Sequence, residues 1–191
     1  MNNQARIIDQ LSDKELYVNL YMTQGIIFCA ALLGAWILQS SILAPFLLID
    51  FTWSAASAGL LFAGIILLLE VLFTYTLPEK WFDDGGINVR IFKNMPAHLI
   101  VLVSGIVALS EELLFRGVLQ TEFGIVVSSL IFALIHLRYL KKVFLFSFVL
   151  AMSFGLGFLF MWTGNLWSVI VAHFVIDSVL GLLIRYRHIR K

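Results

Sequence analysis

Long, uninterrupted apolar runs occupy most of this 191-residue chain. A helix needs about 20 apolar residues to cross the hydrocarbon core of a bilayer, and in lipid every backbone N–H and C=O must be paired within the chain. Because the runs are continuous rather than alternating, they favour helices over strands. The runs long enough to cross are Asn19–Gln39, Ala55–Leu77, Ala97–Gln120, Phe123–Tyr139, Val143–Trp162 and Leu166–Ile184. The sequence therefore predicts an all-α, polytopic bundle of about six membrane spans.

The composition supports a membrane protein and excludes several other classes. The chain is 61% hydrophobic and 13% charged, whereas a soluble domain is about half apolar and a quarter charged. A formal net charge of +1 gives no basis for binding nucleic acid. The single cysteine, Cys29, excludes a disulfide framework and a thiolate metal cluster. We therefore expect a lipid bilayer, and no nucleic acid, among the partners of this protein.

Lysine and arginine residues occur in every second loop. They precede span one, separate spans two and three and spans four and five, and end the chain, whereas the other loops have none. This alternation fits the rule that positively charged loops stay in the cytoplasm. It predicts a protein of the cell membrane with both termini cytoplasmic. The residues that carry this prediction are Arg6, Lys14, Lys80, Arg90, Lys93, Arg138, Lys141, Lys142, Arg185, Arg187, Arg190 and Lys191.

Few ionisable side chains fall inside the predicted spans. A charge near the bilayer centre costs roughly 2.5–3.5 kcal/mol on insertion scales, so such groups usually face a partner or a watery cavity. Glu70 stands alone near the cytoplasmic end of span two, where we expect snorkelling or helix pairing. The others lie in residues 97–191, the expected catalytic helical core, and residues 1–96 would supply an N-terminal helix, two spans and a cytoplasmic loop. These other groups are Glu111, Glu112, Arg116, His136, His173 and Asp177.

Four of these side chains are predicted to lie at a similar depth in the membrane. Counted from the turns expected near Thr121 and Gly164, they lie about 9 to 14 residues into their helices, which places them within a layer of roughly 6–8 Å. Three different helices thus bring two carboxylates and two imidazoles to one level. The four residues are Glu111, His136, His173 and Asp177.

Spacing along the helices predicts which side chains share a face. Glu112 and Arg116 are four residues apart with the acid first, which suits an ion pair. Glu111 projects about 100° away from Glu112 and is free for another task. His173 and Asp177 share a face at the same spacing of four residues. The spacing therefore predicts that Glu112 is paired and that Glu111 is not.

Two interpretations of these groups are open at this point. They are either buried polar contacts that hold helices together, or a hydrolytic site in which Phe132 walls one side of a cavity. In such a site a glutamate accepts a proton from water, and neutral histidines orient that water, stabilise an oxyanion or bind a metal. Glu111, His136 and His173 would also make a catalytic zinc ligand set with a fourth position open to water, although the sequence has no HExxH motif.

Three motifs on separate predicted spans resemble one known family. EELLFRG at residues 111–117 matches EExxxR, and FALIH at residues 132–136 matches FxxxH. TGNLWSVIVAHFVID at residues 163–177 ends in an HxxxD pattern. Together they resemble the CPBP family of intramembrane proteases (CAAX prenyl protease and bacteriocin-processing, also called Abi). The resemblance covers about residues 96–184, roughly the second half of the chain.

The resemblance implies a polytopic helical peptidase with defined residue roles. Glu111 would be the general base, and His136 would position the attacking water. His173 and Asp177 would stabilise the tetrahedral intermediate. The residues that would brace this site are Glu112 and Arg116. Family members are described both as metalloproteases and as metal-free glutamate proteases, so the cofactor is left open between zinc and none.

The sequence therefore predicts an intramembrane endopeptidase that cleaves a small or membrane-associated protein. Asp177 stands where prenyl-processing members tend to have asparagine, so a prenylated substrate is not implied. Two other functions are considered. The first is a non-enzymatic bacteriocin-immunity or interaction protein on the same scaffold, and the second is a small transporter, since Asp, Glu and His chains in membranes also carry ions.

Overall fold

The computed structural model describes residues 11–186, which fold into helices joined by short loops, with no strand among them. The predicted all-α class is confirmed. Short 3₁₀ turns occur at Ala44–Leu48, Glu79–Trp81 and Leu137–Tyr139. The α-helices are α1 (Asp13–Gln39), α2 (Trp53–Thr76), α3 (Ile87–Phe92), α4 (Ala97–Glu112), α5 (Thr121–Ile135), α6 (Val143–Thr163) and α7 (Leu166–Arg185). A π-helical segment, Leu113–Gln120, joins α4 to α5.

Within residues 11–186, five helical stretches are long and apolar enough to cross a membrane, which makes this a multi-pass membrane protein. Predicted spans three and four fall in one of these stretches, Ala97–Ile135. The five stretches are Asp13–Gln39, Trp53–Thr76, Ala97–Ile135, Val143–Thr163 and Leu166–Arg185. The orientation stays a prediction. The charges at Arg6, Arg187, Arg190 and Lys191 lie outside the described residues.

The stretch Ala97–Ile135 is a hairpin rather than one straight rod. The Ser128 hydroxyl donates to the carbonyl oxygen of Phe115 at 2.6 Å, although the two residues are 13 positions apart. Along a straight helix they would be separated by about 20 Å. The chain reverses at Gly124, where φ is 78° and ψ is 170°. This conformation is essentially restricted to glycine, which explains why the turn lies there and not at Thr121, where the sequence predicted it.

Replacing Gly124 by alanine is expected to lower the free energy of unfolding by about 1–3 kcal/mol. The cause is backbone strain alone, because a Cβ at this position would meet no other atom within 4 Å. Gly64 in α2 is the matched control, since its Cβ would also meet nothing within 4 Å but its backbone is helical. There alanine should raise stability by about 0.5–1 kcal/mol. Equilibrium unfolding of both variants in the same detergent measures the difference, and equal shifts would contradict the assigned turn.

Helix α7 forms the centre of the bundle and packs against α2, α4 and α6. Leu166, Val169 and Ala172 of α7 are buried in the main apolar core together with Leu113 and Leu156. Because lipid tails are as apolar as these side chains, this core is stabilised by close van der Waals packing between the helices rather than by exclusion of water. Because α7 touches most of the other long helices, the polar residues on it are held at the middle of the bundle.

Residues 78–96, which include α3, fold across one end of the bundle. The Arg138 guanidinium donates to Asn88 Oδ1 at 3.0 Å, and Lys142 pairs with Asp83 at 3.0 Å. Both cations lie between α5 and α6, so these contacts tie the loop to the end of that helix pair. The backbone N–H of Gly85 and the Lys142 ammonium hold the pKa of Asp83 below its ordinary value, because both stabilise the carboxylate form.

Candidate active site

A cavity of about 1040 Å³ lies between the helices and reaches the loop at residues 80–93. All four residues predicted for one membrane layer line it, although they come from three different parts of the chain. Two further polar residues, from α1 and α2, line the same cavity. The six residues are Gln24, Glu70, Glu111, His136, His173 and Asp177. The structure thus brings the predicted site residues together.

The predicted pair of Glu112 and Arg116 is present and fully buried. Both side chains have 0% exposure, and Arg116 Nη1 donates to Glu112 Oε1 at 3.1 Å. Arg116 lies in the π-helical segment, and its second terminal nitrogen donates to the carbonyl and hydroxyl oxygens of Ser153 on α6. Its guanidinium also lies 5.0 Å from the ring centre of Phe132, a cation–π contact. One guanidinium therefore joins α4, α5 and α6.

Glu112 also holds a catalytic candidate directly, which the sequence did not predict. Nδ1 of His173 lies 2.7 Å from the same Oε1 atom that accepts from Arg116. Nε2 of His173 lies 3.4 Å from Asp177 Oδ2. The two pairs found from helical spacing are therefore one continuous chain of ionisable groups, which runs from Arg116 through Glu112 and His173 to Asp177.

His136 occupies the end of α5 rather than its interior. The helix ends at Ile135, four residues earlier than predicted. The backbone of His136 is not helical, with φ of −77° and ψ of 57°. Its Nδ1 lies 2.7 Å from the carbonyl oxygen of Phe132. A carbonyl only accepts, so Nδ1 carries the proton and Nε2 of the neutral ring is an acceptor. The Tyr139 ring stacks on this ring with ring centres 6.1 Å apart, and the Phe132 ring lies tilted against it with ring centres 4.8 Å apart.

Glu111 faces the cavity with 7% exposure. Its Oε1 accepts a hydrogen bond of 3.4 Å from Nε2 of Gln24 on α1. Gln24 in turn accepts from the Ser110 hydroxyl at 2.6 Å. Sequence reasoning missed both partners, although a lone amide inside the apolar run of α1 is a signal that could have found Gln24.

Glu70 is placed differently from the expectation of snorkelling or helix pairing. It lines the cavity, and its Oε2 atom is buried without a hydrogen-bond partner. Its position within an apolar stretch gave its depth but not the direction of its side chain. Glu70 thus adds a carboxylate to the wall formed by α2.

The side chains of this cavity do not fit a zinc ion. His173 presents each ring nitrogen to a carboxylate, whereas His136 has Nδ1 on a backbone carbonyl and keeps Nε2 free. Within residues 11–186, no three His, Cys, Asp or Glu side chains form a group that could hold a metal. Glu111, His136 and His173 thus do not meet as one ligand group in this arrangement, and the zinc set stays a prediction.

Comparison with known proteins gives one family and two relatives. Residues 93–179 match the family described as type II CAAX prenyl endopeptidase Rce1-like. The chain is 44% identical over 133 residues to "Uncharacterized protein YpbD" of Bacillus subtilis (strain 168), which covers 70% of each chain. It is 27% identical over 131 residues to "Holin-like protein CidA 2" of Bacillus anthracis, which covers 69% of this chain and 97% of that protein. No solved structure matches the chain.

Proposed function

This chain belongs to the Rce1-like family of type II CAAX prenyl endopeptidases, and we propose that it is an intramembrane peptidase that hydrolyses a peptide bond of a small or membrane-associated protein. The observation that carries this proposal is that Glu111, His136, His173 and Asp177 line one cavity among membrane-spanning helices. The cavity reaches loop residues that are predicted to be cytoplasmic, so the substrate enters from that side of the cell membrane.

Glu111 is the general base of the proposed reaction. It takes a proton from a water molecule while the water oxygen bonds to the carbonyl carbon of the substrate. Nε2 of His136 accepts from the second hydrogen of this water and so fixes its direction of attack. When the C–N bond breaks, the proton held by Glu111 passes to the leaving nitrogen. Water is consumed, a carboxylic acid and an amine are formed, and Glu111 returns to its carboxylate form.

His173 stabilises the oxyanion of the tetrahedral intermediate. In its imidazolium form the ring donates from both nitrogens, from Nδ1 to Glu112 and from Nε2 to the oxyanion. Asp177 is half-buried, and its contact with Nε2 is long, at 3.4 Å. The substrate oxygen can therefore replace Asp177 at this nitrogen. The buried pair of Glu112 and Arg116 holds Nδ1 of the ring and thereby its orientation.

The proposal is tested with the purified protein in liposomes, a mixed peptide library and water enriched in oxygen-18. One peptide bond should be cleaved, and the new carboxyl group should carry one oxygen-18 atom, which mass spectrometry measures. His136→Ala should lower turnover about 10- to 100-fold, because a misplaced water reacts more slowly. The control is His98→Ala, an exchange of the same type on α4 outside the residues that line the cavity.

Two outcomes would overturn the peptidase proposal. The first is the absence of any labelled product, with ion flux through the same liposomes, which would favour a transporter. The second is equal turnover in the wild type and His136→Ala, which would mean that hydrolysis comes from a contaminant or another site.

A further inference from the structure

Gln24 and Ser110 form a hydrogen-bonded pair beside the proposed general base. Gln24 is 6% exposed, lies in α1 and lines the cavity next to Glu111. It falls outside residues 93–179, which carry the family match. Its amide nitrogen donates to Glu111 at 3.4 Å, and its amide oxygen accepts from the Ser110 hydroxyl at 2.6 Å. The mechanism described above makes no use of either residue.

The hydroxyl of Ser110 has two good acceptors but only one hydrogen. Besides Gln24 Oε1 at 2.6 Å, the carbonyl oxygen of Ile106 lies 2.7 Å from Ser110 Oγ. A hydroxyl donates one hydrogen bond and accepts through its lone pairs. When Ser110 donates to Ile106, its oxygen is therefore free to accept a hydrogen bond from Gln24. The hydroxyl can thus act toward Gln24 either as a donor or as an acceptor.

We propose that Gln24 and Ser110 are positioning residues that keep Glu111 hydrogen-bonded both as a carboxylate and as a carboxylic acid. In the carboxylate state, Ser110 donates to Gln24 and Gln24 donates to Glu111. In the acid state, the amide is rotated by half a turn. The Glu111 hydroxyl then donates to Gln24 Oε1, Gln24 Nε2 donates to Ser110, and Ser110 donates to Ile106. The acid state differs from the carboxylate state by one added atom, the proton on Glu111.

This inference rests on the proposed function, because Glu111 gains and loses a proton in each turnover if it is the general base. A buried polar group without a hydrogen-bond partner costs about 1–3 kcal/mol. A neighbour that could only donate would leave the acid form of Glu111 without a partner, and a neighbour that could only accept would leave the carboxylate form without one. An amide that can rotate removes this penalty from both forms.

The surroundings of Glu111 explain why a neutral partner suits this place. Its own segment and α7 already supply charges of both signs, and α2 and the end of α5 add further titratable groups. A charged residue on α1 would favour one protonation state permanently, whereas an amide favours neither. The surrounding groups are Glu70, Glu112, Arg116, His136, His173 and Asp177.

The kinetic test compares Gln24→Met, Ser110→Ala and Ser110→Thr in the liposome assay. Gln24→Met keeps the length of the side chain without its hydrogen bonds and should lower kcat about 10- to 100-fold, with KM changed less than about twofold. Ser110→Ala should lower kcat about 3- to 10-fold, and Ser110→Thr, which retains the hydroxyl, should restore it. Unchanged kcat in Gln24→Met, or a change confined to KM, would overturn the proposal.

A second measurement does not depend on peptidase activity. The carbonyl band of carbon-13-labelled glutamine is recorded by infrared difference spectroscopy while the pH is varied, and the signal of Gln24 is identified by its loss in Gln24→Met. The Gln24 band should shift with pH in the wild type, and this shift should be absent in Glu111→Gln, where the titrating group is gone. A shift of the band without peptide hydrolysis would overturn the proposed function but support the roles of Gln24 and Ser110. Hydrolysis without a shift would overturn those roles and leave the peptidase proposal intact.

Discussion

Replacing Glu111 by glutamine is expected to lower kcat for peptide hydrolysis by about 10²- to 10⁴-fold, the contribution of a positioned general base. Glutamine has nearly the shape of glutamate but cannot take a proton from water. Glu111 has 7% exposure and contacts Gln24 at 3.4 Å, a contact that another amide can retain. The binding of substrate should therefore change little, and the loss should appear in kcat. Initial rates over a range of substrate concentrations measure both parameters.

The matched control for this variant is Glu122→Gln. Glu122 is an exposed glutamate at the start of α5, outside the residues that line the cavity. It should retain the wild-type rate, and both variants should unfold at nearly the same temperature as the wild type. A Glu111→Gln protein with more than half of the wild-type kcat would show that another group takes the proton. The neighbouring acid cannot serve as a substitute, because Glu112 is fully buried and held by Arg116 and His173.

The convergence of the four candidate residues could be predicted from the sequence because helices are regular. A rise of about 1.5 Å per residue converts position along the chain into height in the membrane. The turn moved from Thr121 to Gly124, which changed the counts for Glu111 and His136 by only three residues each. Three residues are less than one helical turn, and all four candidate residues line the cavity.

The rotation of one helix relative to another could not be predicted in the same way. Periodicity shows which residues of a helix share a face, but it does not show which neighbour that face contacts. For this reason the link between Glu112 and His173, and the contact between Gln24 and Glu111, appear only in the structure. Glu70 is the clearest case, since its position within the span was predicted and its place on the cavity wall was not.

Replacing Arg116 by methionine is expected to lower the free energy of unfolding by about 3–5 kcal/mol, the cost of leaving one partner of a buried ion pair alone. Glu112 would stay buried with 0% exposure and would have only Nδ1 of His173 as a partner for Oε1. Ser153 would lose donors to both its carbonyl and its hydroxyl oxygen. Arg116→Lys should also destabilise, because a single ammonium group cannot reproduce the planar set of donors that reaches both residues. Equilibrium unfolding in detergent measures these differences.

The control for charge loss alone is Arg138→Met. Arg138 is half-buried, donates to the neutral side chain of Asn88 and stacks on Tyr139. Because the partner of Arg138 is neutral, its replacement leaves no isolated charge behind. The free energy of unfolding should therefore fall by less than about 1.5 kcal/mol, the net value of one hydrogen bond. A similar loss in both variants would mean that the burial of Arg116 has no special energetic role.

A double variant separates the unpaired charge from lost packing. If the carboxylate of Glu112 causes most of the damage in Arg116→Met, then adding Glu112→Met should recover part of the lost stability, because both ions are then gone. His173 would still have Asp177 beside Nε2 at 3.4 Å, so its charge would not be left alone. If the stability losses of the two single variants simply add, then packing and the contacts of Arg116 with Ser153 account for the stability lost in Arg116→Met. In that case the buried ion pair would serve the orientation of His173 and not the stability of the bundle. Recovery with loss of turnover would show that the protein retains this charge for catalysis at a cost in stability.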